Sequence, residues 1–363
     1  MKKQLKDVCE GFTKNIAQKD LSENNGKYPI FGASGIIKTI DFYISDKPYI
    51  GIVKDGSGVG RTNKYPAKSS LLGTMQYILP NQGIDLDYLM YGIRSLHLGE
   101  NYSGAAIPHI YFKVYKNRTL DFPELAEQKQ RSIVLNKIQD AINVKEKQLF
   151  ELENIIQSEF VEMFGEGSCK QIPFSEYAEI IDGDRGKNYP KSEDFSDDDY
   201  CLFLSAKNVT KNGFLFENNQ FISKEKDEIL RKGKLNRGDI VITTRGTIGN
   251  IAYFDDSIPY ENIRINSGMV IIRNKDLEFN QRFFLEAFRN KIDEIIATQV
   301  TGAAQPQLPI HIMSKITLPY PDLPLQNQFA AFVQKIDKSK FVVKQQITDL
   351  QELLDSKMQE YFS

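Results

Sequence analysis

The chain has no tryptophan, and only three cysteines and three histidines among its 363 residues. Cys9, Cys169 and Cys201 are odd in number and scattered, so they form neither a disulfide framework nor a Cys-x-x-Cys metal pair. Incidental thiols in a reducing cytosol suit them. His97, His109 and His311 leave little room for a histidine-based metal or acid–base centre. No apolar run approaches the roughly 20 residues needed to span a bilayer. The opening "MKKQLKDVCEGF" has two lysines but no apolar stretch behind them, so neither a membrane nor secretion is expected, and the expected location is cytoplasmic.

A charge of one sign is lacking too. The formal net charge is −2, with 41% hydrophobic and 26% charged residues, as in an ordinary globular protein. Its distribution is uneven. Residues 1–121 hold 16 Lys and Arg against 11 Asp and Glu, whereas residues 122–169 hold 5 against 9. Residues 170–320 hold 20 against 22, and residues 321–363 hold 5 against 6. Only the first block has the surplus for a basic face.

What is present is a repeat. "SGAAIPHI" at 103 returns as "TGAAQPQL" 198 positions later, and the register then runs on without a gap to the end of the chain. Pro123 meets Pro321, Gln128 meets Gln326, and "NKI" at 136 meets "QKI" at 334. Upstream, "IGIVKDGSGVG" lies over "DIVITTRGTIG", with Gly60 on Gly249, and "LKDVCEG" lies over "FSEYAEI". The second copy carries about 29 more residues in its variable part. The plan is a variable globule (1–121), a helix (122–165), a second globule (166–320) and a second helix (321–363).

The helices read as an antiparallel coiled coil, because apolar residues recur at 3–4 spacing over about 40 residues each, roughly 60 Å. In the first they are Leu135, Ile138, Ile142, Leu149, Leu152, Ile156 and Met163; in the second, Val333, Ile336, Val343, Ile347, Leu350, Leu354 and Tyr361. Pro123 and Pro321, each followed by an acid, mark the starts, and Gly165 and Gly167 close the first. The globules read as mixed α+β. "YIGIVK", "QYILP", "IYFKVY", "CLFLSA", "DIVITT", "IAYF", "GMVIIR" and "ITLPY" are expected strands, with helices at 85–98 and 280–298.

No catalytic constellation and no metal site is expected. The Gly-rich loops "KDGSGVGR" and "TRGTIGN" contain no Gly-Lys, and where Gly-Lys does occur, at Gly26-Lys27, Gly186-Lys187 and Gly233-Lys234, no Ser or Thr follows, so none is a phosphate-binding Walker loop. Glu127-Gln-Lys129 and Asp355-Ser-Lys357 are scraps of a nuclease pattern inside the heptad helices, and "DGDRGK" lacks the spacing of a calcium loop. The variable parts do carry side chains suited to phosphates and base edges. In the first copy these are Lys54, Asp55, Ser57, Arg61, Asn63 and Lys64. In the second they are Arg185, Lys187, Asn188, Tyr189, Lys207, Asn208, Thr243, Thr244, Arg245, Thr247, Asn250, Arg264 and Asn266. The shared Gly-Ala-Ala and Pro are read as packing each globule onto its helix.

"SGAAIPHI…FPELAEQKQRSIVLNKI" and "TGAAQPQLPIHIMSKITLPYPDLPLQNQFAAFVQKID", with the glycine turns and the paired helices, resemble the DNA specificity (S) subunit family of type I restriction–modification systems over essentially the whole chain. The resemblance implies two target recognition domains, at 1–121 and 166–320, joined by antiparallel spacer helices in a pseudo-twofold repeat. It implies a subunit without catalysis of its own, which reads a bipartite, asymmetric site on double-stranded DNA. Its implied partners are two adenine methyltransferase (M) subunits and restriction/translocase (R) subunits. S-adenosylmethionine, ATP and Mg are then expected only in those partners. Two alternatives stay open: a specificity partner of another restriction–modification class, and a coiled-coil adaptor that binds protein.

Overall fold

A computed structural model describes the chain except residues 57, 101, 105–107, 166, 276–278 and 301–306. It divides into two compact units, one formed by 1–149 with 342–363 and the other by 150–341. Each unit therefore owns one globule and a stretch of both long helices, which the sequence-based division into globules and helices does not describe.

Both globules have one topology. In the first, β1 (Cys9–Phe12), β2 (Tyr49–Val53), β3 (Thr62–Tyr65) and β4 (Met75–Pro80) form an antiparallel sheet in the order β1-β4-β2-β3. In the second, β5 (Ala178–Asp182), β6 (Ile240–Thr243), β7 (Ile251–Tyr253) and β8 (Met269–Asn274) follow the order β5-β8-β6-β7. A three-stranded sheet accompanies each: Tyr28–Gly32 between Gly35–Ile40 and Ser70–Leu71, and Cys201–Leu204 between Phe221–Ile222 and Ile263–Ile265. The second globule places a further hairpin, Val209–Thr210 with Gly213–Phe214, and the helix Lys224–Ile229 between Leu204 and Ile240. Much of its extra length lies there.

Strand side chains alternate between faces, and each four-stranded sheet is buried on both. Ile240 and Ile242 of β6 join a core built with the helices, whereas Val241 joins a second core with Leu202, Leu204 and Ile263. In β2, Ile50 and Ile52 face the helices, and Tyr49 and Val53 face the smaller sheet. That is why "YIGIV" and "IVIT" are buried throughout and do not alternate apolar with charged residues.

One helix rests on each sheet: α1 (Leu86–Arg94) and α3 (Gln281–Ile295). Asp85 caps α1 by accepting from Tyr88 N, and Asn280 caps α3 by accepting from Arg282 N and Phe283 N. The long helices are α2 (Leu125–Phe164) and α4 (Leu323–Phe362), 40 residues each. Pro324 sits inside the first turn of α4, where a missing N–H costs nothing, and Asp322 Oδ1 accepts from Leu325 N at 3.2 Å.

In the first unit the start of α2 meets the end of α4: Arg131 Nη1 and Tyr88 Oη both donate to Tyr361 O at 3.1 Å. In the second, the end of α2 meets the start of α4: the Phe160 and Phe329 rings lie 5.5 Å apart, and Lys340 pairs with Glu153 at 3.2 Å. The helices thus pair antiparallel. Leu135, Ile138, Ile142, Ile156, Val333, Val343 and Leu354 are buried, while Leu149, Leu152, Ile336, Ile347 and Leu350 are partly buried.

Two expectations need correction. The heptad weakens at Met163 and Tyr361, which are only partly buried against the cores. After Ile156 the buried positions are Phe160 and Phe164, and after Leu354 they are Met358 and Phe362. A step of four residues overshoots one helical turn by about 40°, so these buried positions rotate away from the helix–helix seam and onto the globule, whereas alternating three and four would have followed the seam. Secondly, "IYFKVY" is not a strand. Tyr111 is extended and Phe112–Tyr115 form a helical turn, closed by Lys116 N donating to Phe112 O at 2.8 Å, which buries Tyr115.

Candidate nucleic-acid interface

The loops singled out in the sequence meet at one edge of each main sheet. The β2–β3 and β6–β7 hairpins have glycine turns of one design. Gly56 and Gly60 have φ of +94° and +83°, and their counterparts Gly246 and Gly249 have +74° and +81°. A Cβ on Gly60 would sit 2.3 Å from Gly99 N, and one on Gly249 would sit 2.1 Å from Ile296 Cδ1. Lys54 N donates to Thr74 O at 2.9 Å, and Thr244 N to Gly268 O at 2.8 Å, which ties each turn to the loop before the last strand of its sheet.

In the first unit the side chains at this edge are mostly committed. Lys54 Nζ donates to Asp55 Oδ2 at 2.5 Å, and His109 Nδ1 lies 2.7 Å from Asp55 Oδ1. Burial opposes the Asp55 charge, but hydrogen bonds with Lys54 and His109 outweigh it and hold the carboxyl below its ordinary range. Lys54 also stands over the Tyr111 ring at 5.7 Å, with Lys113 at 5.6 Å. Arg61 is exposed and donates to Ala33 O at 3.1 Å. Two candidates are turned away from this edge. Asn63 Oδ1 accepts from Arg94 Nη2 of α1 at 3.0 Å, and Lys64 pairs at 2.5 Å with Asp87, which Asn136 of α2 also holds. Ser57 lies outside the described residues.

The second unit separates its candidates sharply. Arg264 is buried, with its guanidinium donating to Asp227 Oδ1, Asp227 O, Leu230 O and Lys232 O. It is a scaffold residue and has no face left for DNA, which corrects the sequence reading. Asn208 and Asn250 are corrected in the same way. Asn208 is buried, bonded to Ser205 N at 2.9 Å and Leu215 O at 3.1 Å, and Asn250 Nδ2 is spent on Val209 O at 2.9 Å. Thr243 and Thr244 are buried too, their hydroxyls donating to Thr247 O and Gly268 O. Asn266 Oδ1 accepts from Gly268 N at 2.8 Å, and Tyr189 packs edge-on against Phe203. All of these hold loops in place.

Lys187, Lys207, Arg245 and Thr247 are exposed. Arg185 is half-exposed, bridging Asp182 at 3.1 Å and Ser267 O at 3.2 Å, beside the Gly268 carbonyl that holds Thr244. Asn188 reaches Ile229 O only at 3.5 Å. The loop of Arg185 and Lys187 is anchored by Asp184, whose carboxyl is held below the usual range by the backbone N–H groups of Gly186 and Arg231 at 2.8 and 2.9 Å.

Sequence reading missed the reason for the repeated glutamine. Gln128 and Gln326 are buried at the starts of the long helices. Gln128 accepts from Asp85 N at 3.0 Å and donates to Pro123 O at 2.8 Å; Gln326 accepts from Asn280 N at 2.8 Å and donates to Pro321 O at 2.9 Å. Each ties its spacer helix to the cap of the helix resting on the sheet.

Burial raises the Cys9 and Cys201 thiols to about 12, so both stay protonated. Among the described residues no three His, Cys, Asp or Glu converge where a metal ion would sit, and no helix is long and apolar enough to cross a membrane.

Fold and site define a class: an internally duplicated α/β protein, with variable loops at one sheet edge of each unit and a shared antiparallel helix pair. Residues 1–154 and 172–352 match the type I restriction modification DNA specificity domain, and the chain belongs to that family, carrying the domain twice. Two relatives from Methanocaldococcus jannaschii are similar to it. The MjaVIII specificity subunit of a type I restriction enzyme is 24% identical over 78% of this chain and 71% of its own length. The MjaIX subunit is 22% identical over 77% and 68%. The S subunit of a type I restriction–modification system from M. genitalium shares the fold, with a TM-score of 0.50, 17% identity and coverage of 100% of this chain and 96% of that one. A chain from a structural study of assembly and conformational transition of the type I system does so at 0.52, with 12% identity over 99% and 97%.

Proposed function

We propose that this chain is a non-catalytic DNA-reading subunit in which each unit reads one half of a bipartite, asymmetric duplex site. Two adenine methyltransferase subunits bind it, and restriction/translocase subunits join for cleavage. S-adenosylmethionine, ATP and Mg act in those partners, in the cytoplasm. The observation that carries the reading is one sheet-edge design occurring twice with different side chains: a partly buried Lys54–Asp55 pair with exposed Arg61 in one unit, and exposed Arg185, Lys187 and Arg245 in the other. Equivalent supports bearing different readers suit two unlike half-sites, and an antiparallel helix pair suits a fixed gap between them. The names of the relatives, specificity subunits of type I restriction enzymes, support the same reading.

The test is selection from random duplex DNA by this chain coexpressed with its methyltransferase partner. Two short, different motifs at a fixed gap, each with an adenine, are expected. An intact complex that enriches no motif would overturn the reading and favour a protein-binding adaptor.

A further inference from the structure

Both Ala-Ala pairs of the repeated phrase, expected to pack globule on helix, lie outside the described residues, but the residues that end each copy are described. In the first unit Gly56 N donates to Pro108 O at 3.0 Å and Ile110 N to Lys54 O at 2.9 Å, so that His109 stands opposite Asp55 in an antiparallel bridge. In the second, Leu308 N donates to Thr244 O at 3.1 Å and Gln307 stands opposite Arg245. The segment ending each phrase is therefore held against the glycine turn by an isolated antiparallel bridge. Directly opposed residues of an antiparallel pair project to the same side, with Cβ atoms about 5 Å apart.

The chemistry at this shared place differs between the units. Asp55 and His109 are closed on each other, with Lys54 completing the cluster. Arg245 and Gln307 are both exposed, and neither side chain has a partner among the described residues. A guanidinium fork matches guanine O6 and N7, and a carboxamide matches adenine N6 and N7. Neither group is needed by the fold at this edge, where Thr244, Asn250 and Asn266 already hold the loops.

Resting on the DNA reading above, we propose that Arg245 and Gln307 form one specificity-determining pair, taking a guanine edge and a neighbouring adenine edge in the major groove. The Asp55–His109 cluster occupies the same place in the first unit, so the two half-sites differ where the supports are alike. The phrase thus brings one residue of the reader with it, and that residue differs between copies.

The experiment compares wild type, R245K and Q307A, each in the complex with the methyltransferase partner, on the selected site and on every single base-pair replacement in it. Each variant keeps a thermal melt like the wild type's, because both side chains are exposed. Expected is a loss of discrimination of roughly tenfold to a hundredfold at one base pair per variant, confined to one half-site. Uniform weakening on all sequences, with a shallower salt dependence and unchanged preference, would mean phosphate contacts and overturn the pair. So would unchanged preference at unchanged affinity. A wild-type complex that selects no motif sinks the DNA reading and the pair with it; a motif that survives both substitutions sinks the pair alone.

Discussion

Arg264 and Arg245 have the same side chain in the same globule and opposite surroundings: Arg264 is buried and fully bonded, whereas Arg245 is exposed. Asp227, itself buried, takes hydrogen bonds from Arg264 and Lys234 at 2.5 Å. Burial works against its charge, but the two cations outweigh that and hold the carboxyl below its ordinary range. A depressed carboxyl contributes stability that is present above the unfolded-state value of about 3.9 and is lost as pH falls through the folded value. Denaturant unfolding against pH should therefore show the second unit weakening progressively below about pH 4. D227N, which strands Arg264 without a counter-charge, is expected to cost about 3–5 kcal/mol at pH 7 and to flatten that acid dependence. An unchanged acid profile would show that the pair contributes nothing. No base preference should follow Arg264. Sequence lists an arginine near other polar residues in both cases; only the path of Lys224–Ile229 brings a carboxylate to one of them.

At the scale of elements, much of the architecture was legible. The long helices begin and end within three residues of where their prolines and glycines place them, and the expected main-sheet strands are present. The stripe at the helix ends was not legible, because Met163 beside Phe164 and Tyr361 beside Phe362 offer two adjacent apolar choices. The fold chooses by what lies opposite: Phe164 meets Phe283 at 4.8 Å and Phe329 at 5.4 Å. Replacing Phe160 or Phe164 with Ala is expected to cost about 3–5 kcal/mol, and Met163→Ala clearly less, by equilibrium unfolding. The reverse order would restore the continuous heptad. "IYFKVY" escaped because β-branched and aromatic content measures fit to a half-buried surface, which a helical turn also satisfies.

For the whole molecule, the consequential feature is that the last turns of α4 belong to the core of the first unit. Phe362 lies 4.5 Å from Tyr88, and Met358 and Leu354 join Leu135, Ile138 and Ile142. Ending the chain at Lys357 removes Met358 and Phe362. It is expected to cost the first unit at least about 5 kcal/mol, seen as faster proteolysis within residues 1–149 while residues 150–341 stay protected. Equal loss in both units, or none, would contradict this division of the core. Such dependence between distant parts of the chain has no local sequence signal.

The sequence by itself determined the duplication, the paired helices and the mixed strand-and-helix globules, because periodicity and repetition are properties of order along one chain. Tertiary structure alone decided which polar residues face outward, which unit each helix end serves, and that Gln307 stands opposite Arg245. Those depend on distances between segments 30 to 270 residues apart, such as Arg264 to Lys232 or Tyr88 to Tyr361. Burial turns a charged side chain into scaffold when a partner waits inside, as Asp227 does for Arg264, and Arg245, which meets no such partner, stays at the surface.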